Sequence, residues 1–439
     1  MSCRIINCTT EKDWPILEAI IKGRENTEET VDGAVQEILQ NVQNNGDKAL
    51  LEYTKRFDCP QCEDDFVLRL SAAEIANGAA HVSSDDIAII ADAAANIRVF
   101  HEAQVEKSWF ITREDGTVLG QQVQPVDRAG LYVPGGMGGN TPLLSSLLMN
   151  AIPAQVAGVK SMAVVTPPRK DGSINPHILA VAHLLDIDEV YRMGSAWAIG
   201  ALAYGTESIA PVDVLVGPGN IYVTTAKRMV QGSVGIDMIA GPSEVLVIAD
   251  STANPAWVAA DMLSQAEHDA LASAVCITDN PFLAEAIQNA LQEQCAALPR
   301  ADLAAKALED WSAIVVVPSM RVGIALANRV APEHLELCVK DPWAILPLIK
   351  HAGAIFLGSH SPEAVGDYFA GPNHVLPTMG TARFSSALSV QTFCKRSSIV
   401  AASPSFVKNN GESIARLARL EGLEAHARSM ECRLKTNNL

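Results

Sequence analysis

The sequence GPSEVLVIADSTANPAWVAADMLSQAEHD, residues 241–269, decides the fold class because it holds one complete strand-then-helix unit. Its apolar run 245–248 is short and rich in valine and isoleucine, which predicts a buried strand. Asn254 is a favoured helix N-cap and Pro255 a favoured first helical residue, so we expect a helix from there to about His268. A strand that leads directly into a helix is typical of α/β proteins.

The same alternation of short apolar runs and helical patterns recurs along two parts of the chain. It predicts parallel sheets that helices cover on both faces. The predicted strands are 129–133, 162–166, 189–192 and 212–216 in the first part, and 245–248, 274–278, 313–317 and 354–357 in the second. The predicted helices of the first part lie near 143–157, 175–185, 196–203 and 221–231. We therefore expect two related parallel-sheet α/β domains with incomplete Rossmann-like character.

We expect four parts along the chain. Residues 1–25 show weak periodicity and are predicted to form an N-terminal arm, whereas 31–98 show a helical pattern that loops at 44–46 and 58–60 interrupt. The first α/β domain is expected to combine 26–131 with 242–385, and the second to comprise 132–241. Residues 386–439 are predicted to be a C-terminal helical tail, which has too few apolar residues to fold alone and should dock on another surface.

Length and composition indicate a folded globular protein. The chain has 439 residues, which at about 150 residues per domain predicts roughly three units. A hydrophobic content of 48% with 19% charged residues is typical of globular rather than disordered chains. The net charge of −17, from 33 basic and 50 acidic residues, argues against a nucleic-acid partner, which would require a basic face.

The sequence also predicts where the protein works. Residues 1–15 contain no apolar signal-peptide segment, and no stretch reaches the roughly 18 apolar residues of a membrane-spanning helix. The nine cysteines are an odd number without the spacing of a disulfide framework, which indicates a reducing compartment. We therefore expect a cytoplasmic protein with no membrane partner.

Two short motifs about seventy residues apart carry candidate chemistry. In Ser-Gln-Ala-Glu-His-Asp, residues 264–269, Gln265 and His268 lie three residues apart and share one helix face, where both could bind one metal ion. The alternative is a helix end with a capping histidine. Asp367 is a candidate carboxylate ligand, with Gly366 allowing a close approach, although an Asx turn would explain it equally. His426 is isolated in the tail, and a surface helix histidine would explain it.

The second motif, Ala-Pro-Glu-His-Leu-Glu at residues 331–336, places a carboxylate beside an imidazole. Pro332 should bias Ala331 toward an extended conformation, so Glu333 and His334 are predicted to lie on a stiff corner. The neutral imidazole can take a proton from an alcohol, and the carboxylate can activate water. The alternative is a helix N-terminus with an acidic first turn.

Glycine-rich corners follow or precede predicted strands at 133–140, 217–220 and 241–243. Such corners can approach a phosphate or a ribose closely, but a tight turn explains each one alone. The Gly-x-Gly-x-x-Gly pattern of dinucleotide sites is absent from the sequence. Cys59-Pro60-Gln61-Cys62 is the single CxxC motif and, without a second pair, is weak support for zinc or redox chemistry.

Taken together, the motifs resemble the histidinol dehydrogenase family. They span residues 130 to 426 in the family's order, and their joint occurrence is specific although no single one is. They are GLYVPGG at 130–136, GPGN at 217–220, GPSEVLVIAD at 241–250, the Gln265/His268 pair, the Glu333/His334 pair, GPNHVLPT at 371–378 and EGLEAH at 421–426.

The resemblance implies a zinc-dependent enzyme that oxidises L-histidinol in two NAD-linked steps, through L-histidinaldehyde, to L-histidine. By position in the family, the zinc ligands would be Gln265, His268, Asp367 and His426. The same four residues, with Ser243, Glu421 and His334, would contact the substrate. Glu333 and His334 would form the acid/base pair, and NAD would lie near Tyr132, Asn220 and Trp197. In the family the tail histidine reaches the partner subunit's site, which implies a homodimer.

One residue departs from the family pattern. Trp197 stands where the family usually has glutamine, and its ring could stack on NAD or fill part of the pocket. Two other functions are also considered, and Trp197 favours only the second of them. One is a related zinc dehydrogenase for another small alcohol, such as a sulfonated diol, and the other is a zinc-binding homologue that has lost catalysis.

Overall fold

A computed structural model describes residues 3–24, 31–62, 66–136 and 143–435 of the chain. The strands are β1 Arg4–Asn7, β2 Trp109–Thr112, β3 Val118–Pro125, β4 Arg128–Tyr132, β5 Ser161–Thr166, β6 Val190–Arg192, β7 Val214–Val216, β8 Gly235–Ile236, β9 Glu244–Ala249, β10 Ser273–Thr278, β11 Ala313–Val316, β12 His334–Cys338, β13 Ala354–Leu357 and β14 Cys394–Ala401. The helices are α1 Trp14–Lys22, α2 Asp32–Tyr53, α3 Ala72–Ala79, α4 Ser84–Glu102, α5 Leu144–Ala157, α6 Pro176–Leu184, α7 Ser195–Tyr204, α8 Ile221–Val230, α9 Pro255–Ala266, α10 Pro281–Cys295, α11 Ala301–Asp310, α12 Met320–Val330, α13 Pro342–Ile345, α14 Glu363–Val365, α15 Pro404–Leu420 and α16 Glu424–Leu434.

The larger sheet is parallel and has six strands in the order β1-β11-β10-β9-β12-β13. Its central strands are buried on both faces, and alternate residues point to opposite sides as the strand period of two requires. Val245 and Val247 pack against α9, α10 and α11 on one face. Leu246 and Ile248 pack against α1 and α12 on the other. This two-sided core explains the continuous apolar runs of the sequence.

The smaller parallel sheet has five strands in the order β6-β5-β4-β7-β8. The chain leaves β4 toward β5 and β6 on one side and returns to β7 and β8 on the other, so the order reverses between β4 and β7. Gly217, which follows β7, has a φ of 119°, and a Cβ there would lie 2.1 Å from the carbonyl oxygen of Tyr132. Glycine is therefore required where the ends of these two strands meet.

The chain divides into two compact units. The larger unit consists of Met1–Gln104 and Asp127–Phe393 and contains both parallel sheets. The smaller unit consists of Val105–Val126 and Cys394–Leu439. It is built from the antiparallel sheet β14-β3-β2 and the helix pair α15 and α16.

The predicted α/β class with parallel sheets is confirmed, and the Rossmann-like character and the domain limits stay predictions. Several elements nevertheless differ from the sequence-based expectations. Part of the expected arm is strand β1, which pairs with β11. Part of the expected helical tail is strand β14, which pairs with β3. No helix among the described residues is long and apolar enough to cross a membrane.

The extended conformation expected for Ala331 is wrong. Ala331 adopts the left-handed conformation with φ 53° and ψ 62°, because it ends helix α12 and its N–H donates to the Ala327 carbonyl. Pro332 then prevents the helix from continuing. The chain turns directly into β12, so His334 is the first residue of a strand rather than part of a helix N-terminus.

Candidate active site

The Glu333/His334 motif lies at the amino edge of the six-stranded sheet. His334 begins β12 and is in register with Val245 of the neighbouring strand β9, which begins at Glu244. Helix α9 follows β9 and runs back toward the same edge, where it ends at Ala266. This path brings the Gln265/His268 motif to the same edge as the Glu333/His334 motif. Ligand sites of open α/β sheets usually lie at the carboxyl edge, whereas these two motifs lie at the amino edge.

The His334 imidazole is buried, with 4% of its surface exposed. Its Nδ1 lies 3.2 Å from the Glu244 carbonyl oxygen, to which an Nδ1–H can donate. Nε2 has no hydrogen-bond partner and lies 3.7 Å from Asp367 Oδ1. The tautomer that donates from Nδ1 therefore leaves the Nε2 lone pair free to accept a proton.

Three carboxylates surround this imidazole. Besides Asp367, Glu333 Oε2 and Glu363 Oε1 lie 3.8 and 3.7 Å from His334 Nδ1. Burial lowers the pKa of His334, but the charges of Glu363, Glu333 and Asp367 together raise it well above its usual value. Without a compensating cation, the imidazole therefore tends to hold a proton.

Glu333 is fixed from the neighbouring strand. Its Oε2 accepts a hydrogen bond of 2.9 Å from the Glu244 backbone N–H. Burial raises the pKa of Glu333 to about 8, and the nearby positive charge of His334 opposes that rise. Glu244 in turn forms a buried ion pair with Arg24. The Glu333 carboxylate is thus held in one orientation at the edge of the sheet by its hydrogen bond from the Glu244 N–H.

A group of potential metal ligands lies beside the imidazole. Ligand atoms of His268, Glu363 and Asp367 all lie within 4.8 Å of one another. Gln265 is 0% exposed, and neither its amide oxygen nor its amide nitrogen has a hydrogen-bond partner. Such an unpaired buried amide costs roughly 1–3 kcal/mol, so a ligand for it is expected. Gly366 packs closely against the Phe356 ring, since a Cβ there would lie 2.7 Å from it, and its expected role in the approach of Asp367 to a metal stays a prediction.

Sequence reasoning missed Glu363 and His374. Glu363 lies four residues before Asp367, a spacing that could have indicated a shared face. Burial raises its pKa to about 7, and the charge of His334 opposes the rise. His374 lies in the quoted GPNHVLPT motif, and its Nε2 is buried without a partner.

A second group of potential metal ligands includes Glu336, which is hydrogen-bonded to the backbone of Glu363. Glu336, on β12, accepts a hydrogen bond of 2.7 Å from the Glu363 backbone N–H. Ligand atoms of Asp261, Glu336 and Cys338 lie within 4.8 Å of one another. Burial raises the pKa of Asp261 to about 6 and that of Glu336 to about 9. The hydrogen bond to Glu336 fixes the start of the turn that carries Glu363 and Asp367.

The other predicted substrate residues are placed as follows. Ser243 is half-buried and immediately precedes β9, at the same edge as His334, and its carbonyl accepts from the Ser273 N–H. Glu421 and His426 both belong to the smaller unit, where their side chains are exposed.

The predicted NAD residues cluster at the carboxyl edge of the five-stranded sheet. The Tyr132 hydroxyl accepts from the Ser195 N–H at the start of α7, at 3.1 Å. Trp197 is 3% exposed and stacks on Tyr53 and Phe57, with ring centroids 5.6 and 5.8 Å away. Asn220 is exposed, and its Oδ1 caps α8 by accepting from two backbone N–H groups. The predicted glycine corner at 133–140 lies partly outside the described residues.

Comparison with known proteins decides the family. A sequence model described as histidinol dehydrogenase matches residues 21–434. The chain belongs to the histidinol dehydrogenase family. It is 64% identical over 436 residues to the histidinol dehydrogenase of Nitratidesulfovibrio vulgaris strain Hildenborough, covering 99% of each chain. It is 53% identical over 401 residues to that of Bacillus subtilis strain 168, covering 91% of this chain and 92% of the relative.

The three-dimensional comparison agrees with this assignment. The crystal structure of histidinol dehydrogenase from Elizabethkingia anophelis is similar, with a TM-score of 0.93 and 39% identity. The match covers 100% of this chain and 99% of that structure. The resemblance seen in the motifs is therefore confirmed across the whole fold, and the protein is an oxidoreductase of the histidinol dehydrogenase family.

Proposed function

We propose that the protein oxidises L-histidinol through L-histidinaldehyde to L-histidine, using zinc and two molecules of NAD, in the cytoplasm as the end of histidine biosynthesis. The observation that carries the proposal is the unpaired Nε2 of His334 beside a group of potential metal ligands, in a chain whose relatives are named histidinol dehydrogenases. An acid/base group next to a metal-bound amino alcohol is what this oxidation requires.

The side chains present fit a zinc ion. Imidazole nitrogen and carboxylate oxygen are common zinc ligands, and Gln265 offers a buried amide oxygen that lacks any partner. We assign zinc binding to Gln265, His268 and Asp367, with His426 supplied by a second copy of the chain. Glu363 is a further carboxylate within reach of the same group. When bound, the ion orients the substrate's amine and imidazole nitrogens and cancels the surrounding negative charge, which allows His334 to be neutral.

His334 carries out the proton transfer of the first oxidation. Its Nδ1–H is held by the Glu244 carbonyl oxygen, so Nε2 takes the hydroxyl proton of the substrate. NAD, when bound, would supply the hydride acceptor for each of the two oxidations. The carboxylate of Asp367, 3.7 Å from Nε2, stabilises the imidazolium that forms.

Glu333 is assigned to the second oxidation. Its carboxylate takes a proton from the water that adds to the aldehyde carbon, and the resulting hydrate then loses a hydride. Burial raises the pKa of Glu333 to about 8, so the ionised form that can act as a base is a stronger base than an exposed glutamate and becomes more populated as pH rises toward 8. The hydrogen bond from the Glu244 N–H keeps the carboxylate oriented.

We assign NAD to the carboxyl edge of the five-stranded sheet, between β4 and β7. The order of strands reverses there, which is where open parallel sheets usually bind nucleotides. Tyr132 and Gly217 meet at this point, and Asn220 begins the next helix. Trp197 lies beneath Phe57, so in this family member an aromatic stack replaces the usual glutamine.

We also propose that two copies of the chain form the active enzyme. The smaller unit presents exposed apolar side chains on its sheet, with Trp109, Phe110 and Ile111 exposed by 50%, 57% and 53%. On its helices, Leu417 and Leu420 are exposed by 63% and 75%. Apolar surface of this kind is normally buried in an interface. A second copy would cover this apolar surface and would supply its Glu421 and His426 to the L-histidinol site of the first copy. The first copy would supply the same two residues to the site of the second.

The direct test is NADH formation from L-histidinol by the zinc-loaded protein, compared with other amino alcohols and with sulfonated diols. We expect histidinol to give the highest kcat/KM and two NADH per molecule oxidised. Faster oxidation of a diol would favour the related alcohol dehydrogenase. Zinc binding without NADH from any alcohol would favour the inactive homologue.

A further inference from the structure

The CxxC motif forms a disulfide that sits beside the aromatic stack on Trp197. Cys59 and Cys62 are joined, with Cα atoms 5.5 Å apart. The segment Thr54–Asp58 leads directly into Cys59 and carries Phe57. Five other cysteines among the described residues are buried free thiols: Cys3, Cys8, Cys276, Cys295 and Cys338. In a reducing compartment, a single disulfide is more often redox-active than structural.

The two sulfurs differ in access. Cys59 is 0% exposed, whereas Cys62 is partly exposed and lines a surface cavity of about 1010 Å³ with Gln61, Phe66 and Arg69. On its other side Cys62 lies against Gly172, where a Cβ would be 2.9 Å from its Sγ. A buried sulfur bonded to an accessible one is the arrangement in which a thiol reagent can attack only one of the two.

The two residues before Cys59 contact the start of helix α7. Phe57, itself 56% exposed, stacks on Trp197, which is only 3% exposed, so Phe57 covers the buried indole. The next residue, Asp58, accepts a hydrogen bond from the Gly194 N–H, immediately before α7. The Cys59 N–H donates to the Thr54 carbonyl at 2.9 Å. This hydrogen bond connects the disulfide-bonded segment 59–62 to the helical turn Thr54–Asp58, which carries Phe57.

We propose that Cys59 and Cys62 are a reversible dithiol–disulfide pair whose oxidised form holds Phe57 over Trp197. A thiolate of a dithiol reductant attacks Cys62 Sγ, forming a mixed disulfide, and Cys59 Sγ leaves as a thiolate that takes up a proton. The second thiol of the reductant then attacks the reductant's sulfur in the mixed disulfide. Cys62 leaves as a thiolate and is protonated. Overall, the protein gains two electrons and two protons and the reductant becomes a disulfide.

Reduction removes the cross-link that fixes the corner, so Phe57 leaves Trp197 more often and water reaches the indole. Because Trp197 belongs to the proposed NAD site, the second part of the inference rests on the proposed function: the oxidised form should bind NAD more tightly than the reduced form. A coupling of ordinary size would change the NAD dissociation constant about fivefold.

The experiment titrates the full-length protein between reduced and oxidised dithiothreitol, removes the reagent, and maps Cys59 and Cys62 by alkylation and peptide mass analysis. Trp197 is followed by emission wavelength and acrylamide quenching, with Trp197→Phe subtracting the other tryptophans. We expect both cysteines to be alkylated only after reduction, with a red shift and stronger quenching in that state. The Cys59→Ser/Cys62→Ser double variant should resemble the reduced protein and ignore the reagent.

Two results would overturn the proposal. One is a peptide pair that is never cross-linked by oxidised dithiothreitol, and the other is a cross-link that forms without changing Trp197 emission or quenching. Neither measurement needs NAD, so a failure of the proposed NAD site leaves this test valid. Phe57→Ala is the matched control, since it should expose Trp197 equally in both redox states.

Discussion

Replacing His334 by asparagine should remove the base while preserving its surroundings. The asparagine amide N–H can donate to the Glu244 carbonyl in place of Nδ1, which lies 3.2 Å from that oxygen, but nothing replaces the free Nε2. Loss of a positioned general base lowers a rate by about 10²–10⁴, which corresponds to about 3–5 kcal/mol in the barrier. We therefore expect the histidinol step to slow by that factor.

The assay is NADH formation in a single turnover, started either from histidinol or from histidinaldehyde, with zinc content measured on the same samples. Zinc content should stay normal, because His334 is not among the assigned ligands. His81→Asn is the matched control, since His81 also places Nδ1 near a backbone carbonyl, at 2.8 Å, but is exposed and outside the site. A histidinol rate within about threefold of wild type would refute the assignment of the base.

Three further predictions test other parts of the account. Glu333→Gln should slow aldehyde oxidation more than alcohol oxidation in the same single-turnover assay, and equal slowing would contradict its role with water. Burial raises the pKa of Asp58 from 3.8 to about 7, so the folded state favours its protonated form and loses that advantage as pH rises through 7. Asp58→Asn should therefore raise the free energy of unfolding at about pH 8 by up to about 4 kcal/mol and leave it nearly unchanged near pH 4 in urea titrations; a stabilisation independent of pH would contradict this. Mixing His426→Ala chains with His334→Asn chains should restore about a quarter of wild-type activity, because half the dimers then contain one complete site; no recovery would mean that His426 does not serve the other copy.

Much of the fold was predictable because many of its parallel strands have strong local signals. The apolar run 354–357 was predicted with the limits that β13 has, and Asn254 caps α9 with its side chain as expected. These features depend on neighbouring residues in the sequence, so no long-range information is needed.

The missed elements depend on distant pairing. Strand β1 has only four residues and is stabilised by β11, more than 300 residues later in the chain. Strand β12, with the sequence HLELC, is fully buried although it contains His334 and Glu336. Buried polar residues break the apolar pattern of a strand, and such exceptions are concentrated at functional sites. His334 and Glu336 are therefore the reason why β12 was not predicted from the sequence, and they also indicate a functional site.

The site was predictable as a set of motifs and not as a geometry. Spacing alone left Gln265 and His268 with an ordinary explanation, and the family resemblance was needed to favour a metal. What the structure adds is the buried amide of Gln265 without a partner and the carboxylate of Glu363 close to His268 and Asp367. Both features arise where α9, β12 and the turn at α14 meet, which sequence separation does not reveal.

The central claim is that one zinc ion, held by Gln265, His268 and Asp367, orients the amino alcohol beside the His334 imidazole. The most direct measurement is a crystal structure of the zinc-loaded protein with L-histidinol, recorded with anomalous scattering at the zinc absorption edge. The account predicts one anomalous peak per chain, at about 2.0–2.2 Å from a ligand atom of each of these three residues. A peak at the Asp261, Glu336 and Cys338 group instead, or no peak near His268, would contradict it.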